Sequence, residues 1–140
     1  MAWSDWQDDG TTSVWKPALE TIREAAARCA AAEGLEEATI VPLAWDEPDI
    51  ELTWKRGGLS RNLHITLDNR QWPLVVSFSG TVWIDTPGAK RKFRPLAIGK
   101  ITFETPGEMG ERIAENIASA ITQVNQMTLE LTAFSATHGD

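Results

Sequence analysis

Two histidines and one cysteine are the only imidazoles and thiol in this chain, so most nucleophilic or metal-binding readings must pass through them. His64 has the best-placed partner. The pair Gly57-Gly58 fits a two-residue hairpin turn, which sets Arg56 opposite Leu59 and Glu51 opposite His64. A carboxylate beside an imidazole is a usable general base. The same pair is also ordinary on a protein surface and of small energetic value there. Cys29 sits in "AAARCAAA", where a thiol behaves as a small hydrophobe, and His138 stands near the end of the chain. Residues so isolated cannot supply the spacing of a zinc site. The stretch "DEPDIE" at 46–51 gathers four carboxylates but lacks the central glycine of a calcium loop. No glycine-rich phosphate loop is present. The sequence therefore assigns no catalytic residue, no metal and no cofactor, and points toward binding.

Charge gives the strongest clue to what is bound. Residues 1–51 hold twelve acids and three bases, residues 52–100 two acids and nine bases, and residues 101–140 six acids and one base. A chain of net charge −7 thus contains a middle segment of +7. In a meander, alternate turns lie at the same end of the sheet, and "KRGGLSR" and "TPGAKRKFR" are alternate turns. Arg56, Arg61, Lys90 and Arg91 are expected to gather there, with Lys92 and Arg94 extending the patch along the sheet. Such a patch suits an acidic macromolecule, or it consists of solvated tips that keep strands from pairing with other chains. Overall acidity and the lack of any nucleic-acid motif argue against nucleic acid.

The elements that must position these residues are readable from periodicity. Trp15, Ala18, Leu19, Ile22, Ala25, Ala26, Cys29 and Ala30 recur at helical spacing, with Ser13 as a candidate cap, Pro17 in the first turn and Gly34 as the stop. "DIELTWK" and "LSRNLHITLD" alternate with period two, "ATIVPLAW" carries a proline suited to a sheet edge, and "PLVVSFSGTVWID" continues the pattern with Ile84 inward. Phe93, Ala97, Ile101 and Phe103 are placed inward on a fifth strand. Thr105 and Glu108 form a capping box before a second helix whose stripe is Met109, Ile113, Ile117, Ile121 and Val124. The fold class is α+β: two helices on one face of an antiparallel meander of about five strands, in the order helix, five strands, helix. Residues 1–12 are an arm and 13–140 a single domain, whose tail "TLELTAF" reads equally as a helix extension or a sixth strand. The element order resembles the frataxin fold, an acidic helix–sheet–helix sandwich, in that order alone. Small secretion chaperones are similar in size and acidity but interrupt their strands with a helix, and "DNRQ" is too short to hold one.

The face away from the helices is expected to mix Ser, Thr, Asn and His64 with Val75, Trp83, Leu96 and Ile98. With residues 69–72 as a loop, His64 also lies opposite Ser77, and Ser79 next to Leu96. A face so apolar needs cover: a second subunit, a partner, or the arm "MAWSDWQDDG" with Trp3 and Trp6. The composition is that of a soluble protein, with no membrane span, no secretory leader and no possible internal disulfide, which places it in the cytoplasm. The expected function is a small non-enzymatic binding protein, of adaptor, inhibitor or immunity type, using the basic end and the open sheet face, with a protein partner or a second copy bound. The alternatives are a small-molecule binder or enzyme with a cleft near His64 and Trp83, and an obligate homodimer.

Overall fold

The computed structural model describes residues 12–42, 49–69, 71–84 and 96–128. The predictions for the N-terminal arm and the C-terminal tail lie outside these residues. In chain order the elements are α1 (Thr12–Ala32), β1 (Glu36–Pro42), β2 (Asp49–Arg56), β3 (Leu59–Leu67), β4 (Leu74–Trp83), β5 (Leu96–Phe103) and α2 (Pro106–Gln126). The strands pair antiparallel in sequence order. Both helices pack on one side, α1 over β1 and β2, α2 over β3, β4 and β5. This is the predicted α+β architecture.

Helix α1 buries Ala18, Ile22, Ala25, Ala26, Cys29 and Ala30 of the predicted stripe, while Leu19 is half-buried at its margin. Pro17 stands at its sixth residue rather than in its first turn, because the helix begins at Thr12. Its end is closed by two backbone bonds, Leu35 N–H to Ala30 O and Gly34 N–H to Ala31 O, around Gly34 at φ 63°. That left-handed residue is cheap only for glycine. Helix α2 starts at the predicted box: Glu108 N–H donates to Thr105 Oγ1 at 3.2 Å, while the Glu108 carboxylate accepts from Glu104 N–H. Each bond satisfies a donor that the helical ladder or loop leaves open.

The sheet's register departs from expectation at two places. Gly57 and Gly58, both at positive φ, close the β2–β3 hairpin with Arg56 opposite Leu59 and Glu51 opposite His64, as predicted. Between β3 and β4 the loop is wider than residues 69–72. Asn69 spans it, donating to Gln71 O and Pro73 O and accepting from Val75 N–H, so His64 faces Ser79 and not Ser77. Between β4 and β5 an irregularity at Phe78/Ser79 pairs Ser79 with Ala97 instead of Leu96. The extra residue inverts the strand's facing beyond that point. Ala97 is exposed, Leu96 pairs with inward-facing Gly80, and Ile98 packs against the core. Ile84, past the end of the β4 ladder, is exposed rather than inward.

The core lies between sheet and helices, with Trp54, Phe103, Ile113 and Ile117 among its largest buried side chains. Trp54 Nε1–H, which needs a partner once desolvated, donates to Asn125 Oδ1 on α2 at 2.8 Å. The helix descends onto the sheet at Gly80, where an added Cβ would sit 2.6 Å from Val124 Cγ2. Gly80→Ala is therefore expected to lower stability by about 1–3 kcal/mol, the usual cost of overpacking. Val124→Ala in the same chain should recover part of that loss, so denaturant midpoints of the two single variants and the double variant would be non-additive.

Candidate functional site

On the face away from the helices, cross-strand bonding joins the polar side chains into fixed arrays. Glu51 stands opposite His64, yet the two do not bond to each other. The Glu51 carboxylate accepts from Asn62 Nδ2, which also donates to Thr53 Oγ1 at 3.3 Å. His64 Nε2 instead donates to Asp49 Oδ2 at 3.2 Å, and Thr66 Oγ1 stands 3.4 Å from the same nitrogen. Asp49 is the diagonal neighbour of His64, paired to Thr66 in the ladder. Diagonal positions are within reach of long side chains, and the longer Glu51 stem reaches the other way. Asp49 is only 7 % exposed, and its Oδ1 is buried without a hydrogen-bond partner. The signal for Asp49 was present in the alternation of "DIELTWK", since it shares a face with Glu51.

A second array lies beyond the β3–β4 loop, where Ser77 Oγ and Lys100 Nζ both engage Asp68, the lysine at 3.3 Å. At the opposite end of the face, Trp83 is half-buried and pairs with Ser60 in the ladder. Ser60, Asn62 and Thr81 are buried although they point away from the helices. With Leu96 and Ile98 on other ground, Val75 and Trp83 remain of the four apolar residues expected here. The face is more polar than the sequence suggested.

The predicted basic end is not assembled as expected. Arg56 is exposed, but Arg61 is 6 % exposed and turns inward. Its guanidinium donates to Val124 O at 2.5 Å, to Met127 O at 3.0 Å and to Arg56 O at 3.4 Å, capping the last turn of α2. Arg61 pairs with inward-facing Val82, and the same alternation that buries Leu63 carries it to the helix side. Burial, and after it the neighbouring Arg56 charge, lowers the pKa of Arg61. Lys90, Arg91, Lys92 and Arg94 lie outside the described residues.

Cys29 is buried between the helices, donating through Sγ to Ala114 O at 3.4 Å, and burial pushes its thiol pKa up. An inert thiol is what that environment produces. Among the described residues, two depressions lie on the helix side of the sheet. An open groove of about 390 Å³ is lined by Ala27, Ala30, Ala31, Leu35, Ala38 and Ile40, and a crevice of about 110 Å³ separates α2 from β5. Neither is lined by His64 or Trp83. Among the described residues no helix is long and apolar enough to cross a membrane, and no three metal-ligating side chains gather. No protein family, no curated protein and no solved structure matches the chain.

The placement of Arg61 distinguishes it sharply from Arg56. Arg61→Ala would leave the carbonyls of Val124 and Met127 without a donor, at about 1–3 kcal/mol, and would also lose the packing of the aliphatic stem. Arg56→Ala should stay within about 0.5 kcal/mol of the parent. Chemical denaturation of the two variants separates a cap from a solvated tip.

Proposed function

We propose that this is a non-enzymatic binding protein whose recognition surface is the sheet face turned away from the helices. One observation carries the reading: side chains on that face are bonded to each other across strands, as in Asp49–His64 and Glu51–Asn62–Thr53. Side chains already held in place lose little freedom on association, which is where much of the cost of binding lies. The helical sides offer less of this, since their exposed residues are long, separate side chains such as Glu24, Arg28 and Glu115. The basic end is a weaker candidate now that Arg61 serves the fold.

The obligate-homodimer alternative drew on an apolar outer face, and that argument loses Leu96 and Ile98. The small-molecule alternative needs a cleft beside His64 and Trp83, and the two depressions seen among the described residues lie elsewhere.

Site-specific photo-crosslinking in the native host tests the proposal. A crosslinker in place of Ser79 or Thr53 should capture one dominant partner, while the same group in place of Glu24 or Glu115 should not. Equal capture from both sides of the molecule, or capture from the helices alone, would overturn the assignment of the face.

A further inference from the structure

We infer that Met127 is a site of reversible oxidation by hydroperoxides, and that its sulfoxide releases the C-terminal end of α2 from the sheet. The site is independent of the recognition face and lies in the layer beneath it.

Met127 is attached to the fold twice, through its backbone and through its sulfur. It is the C-cap of α2, extended at φ −69° and ψ 147°, and its N–H donates to Val124 O at 3.1 Å. Its carbonyl accepts from the Arg61 guanidinium at 3.0 Å. The side chain packs against the core beside Gly80. A Cβ added there would meet Met127 Sδ at 3.0 Å, together with Val124 Cγ2 at 2.6 Å and Ile98 Cδ1 at 3.2 Å. The thioether thus helps to fill the space that a side chain at Gly80 would occupy. A flexible, apolar and polarisable group suits such a gap.

Exposure separates this sulfur from that of Met109, the other methionine among the described residues. Met127 is half-buried, whereas Met109 is 2 % exposed within the core. A sulfur lone pair attacks the terminal oxygen of the hydroperoxide. The S–O bond forms as the O–O bond breaks, and the proton of that oxygen passes to the departing alkoxide. The products are a sulfoxide and an alcohol, or water when the oxidant is hydrogen peroxide. Sulfur gives up two electrons, the peroxide takes them, and no further reactant is required.

Oxidation replaces an apolar side chain with a polar one. Against Gly80 the new oxygen faces the Val124 and Ile98 methyl groups, which offer it no donor. A desolvated acceptor without a partner is costly, so the side chain leaves the gap. The Met127 carbonyl moves with it, and buried Arg61 loses one of its acceptors. Two thiols restore the thioether, ending as a disulfide while the oxygen leaves as water.

The test is treatment of the folded protein with hydrogen peroxide, read by peptide mass mapping and chemical denaturation. Met127 is expected to gain an oxygen at least about tenfold faster than Met109, and at a similar rate once denaturant exposes both. Oxidation at Met127 should raise the unfolding equilibrium constant about tenfold. Methionine sulfoxide reductases supplied with a dithiol should return it to the parent value. Met127→Leu nearly conserves volume, so it should fold, and its denaturation midpoint should no longer respond to peroxide. Met127→Gln puts a polar side chain there without any oxidant and should lower the midpoint by itself. In an Arg61→Ala background the same oxidation should cost less, because the acceptor it displaces has already lost its donor. Equal oxidation of Met109 and Met127 in the folded protein overturns the site. So does oxidation of Met127 that leaves the midpoint unchanged, a peroxide response that persists in Met127→Leu, or a loss that the reductases do not reverse.

Discussion

The C-terminal end of α2 is where this fold is tied together, and the tie is a buried positive charge. Among the described residues, no carboxylate stands against Arg61. A guanidinium in such surroundings is tolerable because three carbonyls converge on it, two of them at the end of α2. Those terminal carbonyls have no helical partner and carry the negative end of the helix dipole. Trp54 faces Arg61 across the β2–β3 ladder and donates to Asn125, the residue after Val124. One cross-strand pair therefore grips consecutive residues of α2. Gly80 on the next strand removes the side chain that would hold the helix off the sheet. The position of α2 over β3 and β4 is fixed by directional bonds and a close approach, where apolar contact alone would allow sliding.

The two helices then contribute unequally. Each of Ile113, Ile117 and Ile121 is fully buried, and burial of such a side chain is worth about 1.5–3 kcal/mol. The buried stripe of α1 is mostly alanine, which provides little area but permits close packing, with Cys29 Sγ bonded to the backbone of α2. Most of the apolar stabilisation thus lies between α2 and the sheet, and α1 completes the layer. All of this happens on one side, which leaves the other face free to be polar.

Much of this was legible because it depends on local chemistry. The glycine pair fixed the first hairpin and with it the Glu51–His64 pairing, and Gly34 and the Thr105–Glu108 box marked the end of α1 and the start of α2, whereas Ser13, the candidate cap, lies inside α1. The misreadings share a different cause. Asn69 widens the β3–β4 loop through its own side-chain bonds, and an irregularity beside Ser79 turns Ala97 outward and Ile98 inward. Neither leaves a mark on period-two alternation until the partner strand is known. Arg61 was misplaced because its charge was weighed above its parity. It occupies an inward position of "LSRNLHITLD", and what makes that acceptable is a helix end more than sixty residues away in sequence. The Asp49–His64 bond was missed for a related reason, since directly opposite residues were compared and the diagonal was not.

The charge pattern along the sequence must accordingly be reread on the surface. Of the bases that make residues 52–100 positive, Arg61 is spent inside the fold, while Lys55 and Lys100 are drawn to Glu37 and Asp68. These three bases neutralise or tie what the chain itself provides. Asp49 and Glu51 are held instead by His64 and Asn62 across the β2–β3 ladder. A charge block along the sequence is thus no guide to a charged patch on the surface until the ties made within the fold are subtracted from it.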